Sequence, residues 1–315
     1  MKKAFTLVEL IIVVGIICVL AGILLVSFGG GTDSAKAALC LSNLKNLANA
    51  CQTYGMATYR YPNAGSEELL SLDESQGRRS VREQYSERKG WISWDSEGHY
   101  PSTSHQSNPI IGLYEEDRKK ADYALTNGCL WKYGSQNRAT YVCSLHRQTM
   151  RRQGLSPNWS YLMNAYFGWD TSEGARAVSR GSHTDFGKLQ RADRILLFSE
   201  VPFMGYSSWQ PEGSAGSKDT DGVLQFATTG LSSGDKGANA SGDGTETIGA
   251  NHMVGKKLYA HVAFADGHCE KLQIPYSGSP KSPQVEENVL KQLTAWLCVG
   301  YDVGLSGKQY QKLEN

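Results

Sequence analysis

Five residues near the C-terminal end of the chain carry side chains that bind transition metals. They are His252, His261, Asp266, His268 and Cys269. Imidazole, thiolate and carboxylate groups are the ligands that zinc prefers in proteins. Their spacing matches no zinc-binding pattern, however, and the surrounding sequence indicates a strand, a turn and a second strand. We therefore expect ordinary hairpin side chains here rather than a metal site.

Acidic residues elsewhere indicate two other chemistries. Asp219 and Asp221 lie just before Gly222, and two carboxylates at a glycine turn can bind calcium, although a flexible acidic loop is the simpler interpretation. Glu200 follows a short apolar run, where a catalytic acid could lie, but no motif places a nucleophile or a second carboxylate beside it. The sequence has no G-x-S-x-G, H-E-x-x-H or P-loop string. We expect no catalytic residues, no enzymatic activity, and no cofactor apart from this candidate calcium ion.

Cysteine content indicates disulfides. Of seven cysteines, Cys18 lies in an apolar N-terminal segment, and an even number remains, which suits an oxidising compartment. Cys129 and Cys143 flank a turn, and a bridge between them would contribute roughly 3 kcal/mol. This pair is the predicted disulfide, with two separate buried thiols as the alternative. Cys40 and Cys51 would lie about 16 Å apart on one helix, too far to bridge each other.

The N-terminal segment has the properties of a membrane helix. Residues 5–28 carry one charge, Glu9, and follow Lys2 and Lys3. As a helix they would be about 36 Å long, enough to cross a hydrocarbon core of about 30 Å with the lysines on the cytoplasmic side. A secretory signal peptide has a shorter apolar run and an A-x-A cleavage site, and an ordinary anchor gives no reason for Glu9. A carboxylate in this position requires a partner.

Several further elements are expected along the chain. Residues 29–31 are three glycines that should end or bend the first helix, with an N-cap for a restart at 32–34. From 35 to 59, apolar and small residues recur with helical spacing. Further helices are predicted at 67–72, 116–124 and 285–301, strands at 160–168 and 194–200, and a hairpin around 258–274. Asp266-Gly267 marks the hairpin turn, for which we expect the three-residue loop 266–268.

The opening string KKA-FTLVEL resembles the leader and processing site of type IV prepilins and type II secretion pseudopilins. In that family a prepilin peptidase cuts before a phenylalanine, the new amine is methylated, and a glutamate follows in the mature chain. The resemblance implies cleavage between Ala4 and Phe5, with Ala4 where the family usually has glycine. It also implies that Glu9 pairs with the α-amino group of Phe5 on a neighbouring subunit and thereby directs assembly.

Two later segments are similar to a large-headed subgroup of this family, which carries a C-terminal H-x9-DG motif. The first runs from Cys40 through the string LSNLKNL to Arg60-Tyr61-Pro62, and the second is the string FADGH ending at His268. The second motif is partial, because Lys256 stands ten residues before Asp266 and the nearest upstream histidine, His252, lies four residues earlier. Calcium sites in the C-terminal loops of type II secretion pseudopilins strengthen the case for Asp219 and Asp221.

Together these features predict an α+β fold, a pilin-like lollipop whose long N-terminal helix packs on an antiparallel sheet with long loop insertions. The predicted parts are a leader (1–4), a transmembrane and assembly helix (5–28), an amphipathic helix (32–61) and an extracytoplasmic head (62–315). The resemblance implies a structural subunit of a type IV pilus or a type II secretion pseudopilus. The alternative is a membrane-anchored extracytoplasmic protein that binds a polysaccharide or a protein.

The expected partners and location follow from the same resemblance. The partners are other pilin or pseudopilin subunits, the prepilin peptidase and an inner-membrane assembly platform. Nucleic acid is not among them, because 32 basic residues nearly cancel 31 acidic ones. The expected location is the inner membrane, crossed once with the N-terminus cytoplasmic, and then a fibre or the cell surface.

Overall fold

The structure of the protein is a computed structural model that describes part of the chain. The described residues are 7–64, 90–93, 115–151, 157–164, 167, 185–189, 191–202, 222–224, 247–280 and 282–299. No side chains are described for 18–32, 115–118, 120–121, 223, 282, 287–288, 292, 295 and 299. The helices are α1 (Leu7–Thr58), α2 (Glu115–Asn127), α3 (Ser144–Arg151) and α4 (Glu287–Val299), with 3-10 turns at Trp131–Tyr133 and Arg138–Tyr141. The strands are β1 (Tyr161–Asn164), β2 (Leu196–Glu200), β3 (Val223–Leu224), β4 (Ala250–Val254), β5 (Lys257–Phe264), β6 (Cys269–Ile274), β7 (Ser277–Ser279) and β8 (Ser282–Gln284).

The first helix is longer than predicted. It continues through the glycines at 29–31, so of the two predicted alternatives the end with a restart at 32–34 is wrong, while a bend at these glycines stays a prediction. A glycine costs a helix about 1 kcal/mol relative to alanine, whereas a second helix would need its own unfavourable nucleus. The predicted stripe of the second half is confirmed: its buried residues include Ala37, Cys40, Leu44, Leu47, Ala48 and Cys51.

The first residues of α1 have a different environment. Apolar side chains from Leu7 to Ile17 are exposed, with Leu7 at 73% and Ile17 at 58%. Glu9 lies in the first turn among them. Where the structure describes side chains, no helix is long and apolar enough to cross a membrane.

The order of the strands in the sheet determines where α1 packs and where the candidate site lies. Strands β1, β2, β5 and β6 are adjacent and antiparallel in that order, and β3 is parallel to β1. The α+β prediction of a long helix on an antiparallel sheet is therefore confirmed. Because β6 covers one edge of β5 along 258–263, β4 and β2 must share the other edge, β4 at 257–260 and β2 at 262–264.

Polar contacts fix α1 against the turn between β5 and β6. Lys45 Nζ donates to the Gly267 carbonyl at 2.6 Å, and Gln52 Nε2 donates to the Ala265 carbonyl at 2.6 Å. The Tyr61 hydroxyl donates to the same Ala265 carbonyl at 3.0 Å. The buried stripe of α1 and these bonds together set the helix position on the sheet.

The β5–β6 hairpin has the predicted loop length at a different place. The loop is 265–267, not 266–268, and Phe264 N donates to the His268 carbonyl at 2.9 Å. The third residue of such a loop adopts a left-handed conformation, and Gly267 has a φ of 90°. Val262 therefore lies opposite Glu270, and not opposite Leu272 as predicted. The shift is two residues, so every side chain keeps its predicted face.

The β4–β5 hairpin explains the displaced histidine of the partial motif. Residues 253–254 and 257–258 are strand residues on either side of the short turn Gly255-Lys256. Gly255 has a φ of 64°, as a tight turn requires. His252 therefore lies on β4, the strand paired with β5, opposite Tyr259.

The remaining predicted elements are confirmed within a few residues. Helix α2 corresponds to the prediction at 116–124 and α4 to that at 285–301, while β1 and β2 lie within the predicted strands. The predicted helix at 67–72 lies outside the described residues.

Candidate functional site

The site lies at the point along one edge of β5 where the paired strand changes from β2 to β4. β2 ends at Glu200, and β4 continues along the same edge of β5 from Ala250. Gly249 N donates to the Glu200 carbonyl at 2.8 Å, and Asn251 Nδ2 donates to the Val201 carbonyl at 2.8 Å. These bonds join the two strand ends, so side chains from β2, β4 and β5 meet at one point.

A carboxylate and two imidazoles occupy this junction. His252 Nε2 lies 2.8 Å from Glu200 Oε2 and 2.9 Å from Oε1, so one N–H is shared by both oxygens. His261 Nδ1 lies 3.6 Å from Glu200 Oε1, too far for a well-formed hydrogen bond. The two rings stack with centroids 4.2 Å apart. All three side chains are buried, with at most 1% exposed.

Burial and charge determine the ionisation of Glu200. Burial acts to raise its pKa, but the charge and hydrogen bond of His252, aided by His261, bring the pKa down to about 2. The group is therefore a carboxylate at neutral pH, and His252 donates to it. Removal of either partner would leave the other buried without compensation.

A third histidine lies close by on α3. His146 Nδ1 and Ser160 Oγ are 2.9 Å apart and hydrogen-bonded. Burial lowers the pKa of His146 to about 3, against the opposing effect of the Glu200 carboxylate. His146 is therefore a neutral imidazole in the folded protein.

A disulfide covers the junction on the side of α1. It links Cys40 of α1 to Cys143, just before α3, with Cα atoms 5.1 Å apart. Cys143 Sγ also lies 3.9 Å from His252 Nε2. Both sulfurs are thus neighbours of the Glu200–His252 pair.

This bridge corrects the predicted Cys129–Cys143 pair. Asn43, three residues after Cys40, donates from Nδ2 to the Ala139 and Val142 carbonyls at 3.1 and 3.2 Å. The segment before Cys143 is therefore held against α1, and the sulfur of Cys143 faces Cys40. Cys129 is buried elsewhere, close enough to Cys51 to help burial raise the pKa of that thiol.

The five residues that the sequence grouped for metal binding separate into two sets. His252 and His261 lie in the junction, whereas Asp266 and His268 are at the β5–β6 turn, where His268 Nδ1 is 2.5 Å from Asp266 Oδ1. Cys269 is half-buried, and burial raises the pKa of its thiol to about 11. The sequence group therefore does not form one site.

The other predicted site residues either lie far from the junction or are not among the residues that the structure describes. Glu9 lies in the first turn of α1. Ala4 and Phe5, the predicted processing site, and Asp219 and Asp221, the predicted calcium ligands, are outside the described residues.

Sequence patterns did not identify the cluster of side chains that the fold brings together at the junction. Glu200 and His252 are 52 positions apart, and no motif spans that distance. The only available signal was the acid at the end of an apolar strand, because a buried carboxylate needs a partner. Cys40, Cys143, Glu200 and His252 each direct one ligand atom to the junction, with these atoms within 4.8 Å of one another. With the Cys40–Cys143 bridge reduced, such an arrangement can bind a metal ion.

Comparisons with known proteins give no assignment. No protein-family model, no curated protein and no solved structure matches the chain.

Proposed function

We propose that the protein is a pilin-like structural subunit, cleaved between Ala4 and Phe5 by a prepilin peptidase and assembled into a type IV pilus or a type II secretion pseudopilus. The observation that carries the proposal is the division of α1. Its second half is buried on the sheet, while apolar side chains from Leu7 to Ile17 are exposed. Such a surface needs lipid before assembly and neighbouring helices afterwards.

Glu9 gives this surface its specificity. A charge in a membrane helix costs roughly 2.5–3.5 kcal/mol at the bilayer centre, and less near its edge. A simple anchor has no need to bear that cost. In a fibre, the methylated α-amino group of Phe5 on a neighbouring subunit would neutralise the carboxylate and set the axial register between subunits.

The disulfide supports an extracytoplasmic location for the head. Cys40 and Cys143 are bridged, and such bridges persist in oxidising compartments. The subunit would therefore cross the inner membrane once, with its head outside the cytoplasm, and contact the assembly platform before it enters the fibre.

Replacement of Glu9 by Ala tests the proposal. Glu9→Ala should remain in the membrane fraction and disappear from sheared fibres, because the anchor stays apolar while the partner of the amine is lost. Asp33→Ala is the matched control, since Asp33 is an exposed acid on the same helix, paired with Lys36 at 3.3 Å. Mass analysis should also find a mature chain that begins at methylated Phe5.

Two results would contradict this function. Fibre incorporation of Glu9→Ala at the wild-type level would exclude an assembly role for Glu9. A membrane-bound chain that never enters fibres, with or without Glu9, would favour the alternative of an anchored binding protein for a polysaccharide or a protein.

A further inference from the structure

The side chains at the strand junction have the composition of a zinc site. Cys40, Cys143, Glu200 and His252 are all buried, and one ligand atom from each lies within 4.8 Å of the others. Zinc takes four N, S or O ligands in a tetrahedron at about 2.0–2.3 Å, which places ligand atoms roughly 3.3–3.8 Å apart. We propose that the reduced form of the protein binds one Zn²⁺ through these four side chains.

The unpaired imidazole nitrogens are an independent observation that points to a ligand. Among the described residues, His252 Nδ1 and both ring nitrogens of His261 have no hydrogen-bond partner. A buried polar atom left in this way costs about 1–3 kcal/mol. The core nevertheless holds both rings, stacked on each other and beside a carboxylate. A metal bound through His252 Nε2 would leave Glu200 Oε1 free to accept from His261 Nδ1, so the metal site gives both rings a role and satisfies one of these three nitrogens.

His261 has the position of an outer-shell residue. Its Nδ1 lies 3.6 Å from Glu200 Oε1, and its ring stacks on that of His252. A small movement would let it donate to the carboxylate once His252 Nε2 turns to the metal. Outer-shell donors of this kind orient metal ligands and raise their basicity.

The metal-bound and disulfide forms are exchanged by a two-electron step. A dithiol reductant transfers two electrons and two protons to the Cys40–Cys143 bond, which breaks to give two thiols while the reductant becomes a disulfide. Each thiol then releases its proton as Zn²⁺ binds the thiolate. The oxidised form has no thiolates to offer, so the site is controlled by redox state.

The ligand types favour zinc over the other common divalent ions. Thiolate and imidazole suit zinc, whereas calcium and magnesium require mainly oxygen ligands. This inference does not depend on the assembly role, because neither Glu9 nor the exposed half of α1 contributes a ligand.

The test uses the full chain in detergent micelles, reduced with a phosphine in the absence of air and titrated first with Co²⁺ and then with Zn²⁺. Reduced protein should bind one Co²⁺ per chain, with thiolate-to-cobalt charge-transfer bands and the strong visible bands of a tetrahedral site. One equivalent of Zn²⁺ should abolish both. Protein with the disulfide intact should show neither band.

Variants separate ligands from neighbours. Cys143→Ser and His252→Gln should weaken binding at least about 100-fold, while His261→Gln should weaken it about 10–100-fold, as expected of an outer-shell partner. Cys269→Ser is the matched control, because Cys269 is a half-buried thiol outside the group and its loss should change nothing.

Several outcomes would overturn the proposal, and all but one of them require no variant. One is a reduced, folded chain that takes up no cobalt, and another is a zinc K-edge spectrum of the wild-type chain without sulfur neighbours. Binding that Cys143→Ser leaves unchanged would do the same. If reduction unfolds the head, zinc should restore its circular dichroism, and a chain that stays unfolded with zinc would also refute the site.

Discussion

His252 Nε2 donates to both carboxylate oxygens of Glu200, at 2.8 and 2.9 Å, because β2 and β4 end and begin side by side on one edge of β5. The pair is buried, and each member compensates the other. The contact joins two strands that share no ladder, so it acts as a side-chain link across a break in the sheet.

Loss of either member should therefore destabilise the head strongly. Glu200→Ala and His252→Ala should each lower the free energy of unfolding by about 3–5 kcal/mol, the cost of breaking a buried pair. The double variant should cost less than the sum, with a coupling of about 0.5–3 kcal/mol. Urea unfolding in detergent measures all three. Glu270→Ala on the exposed face of β6 is the control, expected within about 0.5 kcal/mol of wild type, and additive single effects would contradict the pairing.

The Cys40–Cys143 bridge should contribute more to the free energy of unfolding than a bridge that closes a short loop. Its sequence separation of 103 residues gives a chain-entropy contribution of about 4.7 kcal/mol, with measured effects of about 2–5 kcal/mol. In a variant with both Cys40→Ala and Cys143→Ala, the free energy of unfolding measured by heat or urea should fall by about 2–5 kcal/mol.

Peptide mapping checks the pairing directly. Digestion without reductant should give one cross-linked peptide pair containing Cys40 and Cys143. Cys129→Ser should leave that pair intact, whereas recovery of a Cys129–Cys143 peptide would restore the pairing that the structure overturned.

Gly249 should be essential to the strand junction. A Cβ atom at this position would lie 2.7 Å from the carbonyl oxygens of both Glu200 and Val201, and neither backbone group can move without separating β2 from β4. Gly249→Ala should lower the free energy of unfolding by about 1–3 kcal/mol. Gly255→Asn is the control, because a Cβ there meets nothing within 4 Å and asparagine tolerates its left-handed conformation. Equal stability of the two variants would contradict this reading of the junction.

Stability should fall in acid in two overlapping ranges. The unfolded chain binds a proton on His146 below about pH 6.5, but in the folded protein the pKa of His146 is about 3. Stability present above pH 6.5 is therefore lost as the pH falls towards 3, by up to about 1.4 kcal/mol per pH unit. Glu200, with a folded pKa of about 2, adds a loss from about pH 4.3 down to 2.

A single variant separates these contributions. His146→Gln should flatten the upper part of the profile of unfolding free energy against pH and leave the part due to Glu200. Arg147→Gln, on the same helix and exposed, should keep the wild-type slope. A His146→Gln profile parallel to wild type between pH 3 and 6.5 would show that this imidazole titrates normally.

The glycines at 29–31 should be the weakest part of α1. Each costs about 1 kcal/mol relative to alanine, so their amides should exchange faster than those in either flank. Replacement of all three by alanine should remove the difference, whereas Gly15→Ala should not. Comparable protection across 26–36 and in both flanks would contradict this prediction.

The elements that depend on local periodicity were predictable from the sequence. The buried stripe of α1 repeats every three or four residues, and the short apolar run of β2 favoured a buried strand. The register of the β5–β6 hairpin depends on where the glycine stands in its loop. Placing Gly267 at the third loop position, which adopts the left-handed conformation, gives the observed loop 265–267 and the correct register.

The site was not predictable in the same way because its contacts are long-range. Cys129 was preferred as the partner of Cys143 because it is near in sequence. Loop-closure entropy grows only slowly with loop length, so proximity was a weak argument against Cys40. Glu200 and His252 meet only because β5 is long enough to pair with two strands in succession on one edge.

The Cys40–Cys143 bridge also has a mechanical consequence. When tension is applied between the N-terminal part of α1 and the end of the chain, the covalent bond carries it from α1 to the start of α3. The 103 residue steps between the two cysteines are thereby withheld from extension. They would otherwise lengthen the pulled chain by roughly 350 Å. A chain with this bridge would extend under load only before Cys40 or beyond Cys143, and reduction would add that extra length to its force–extension curve.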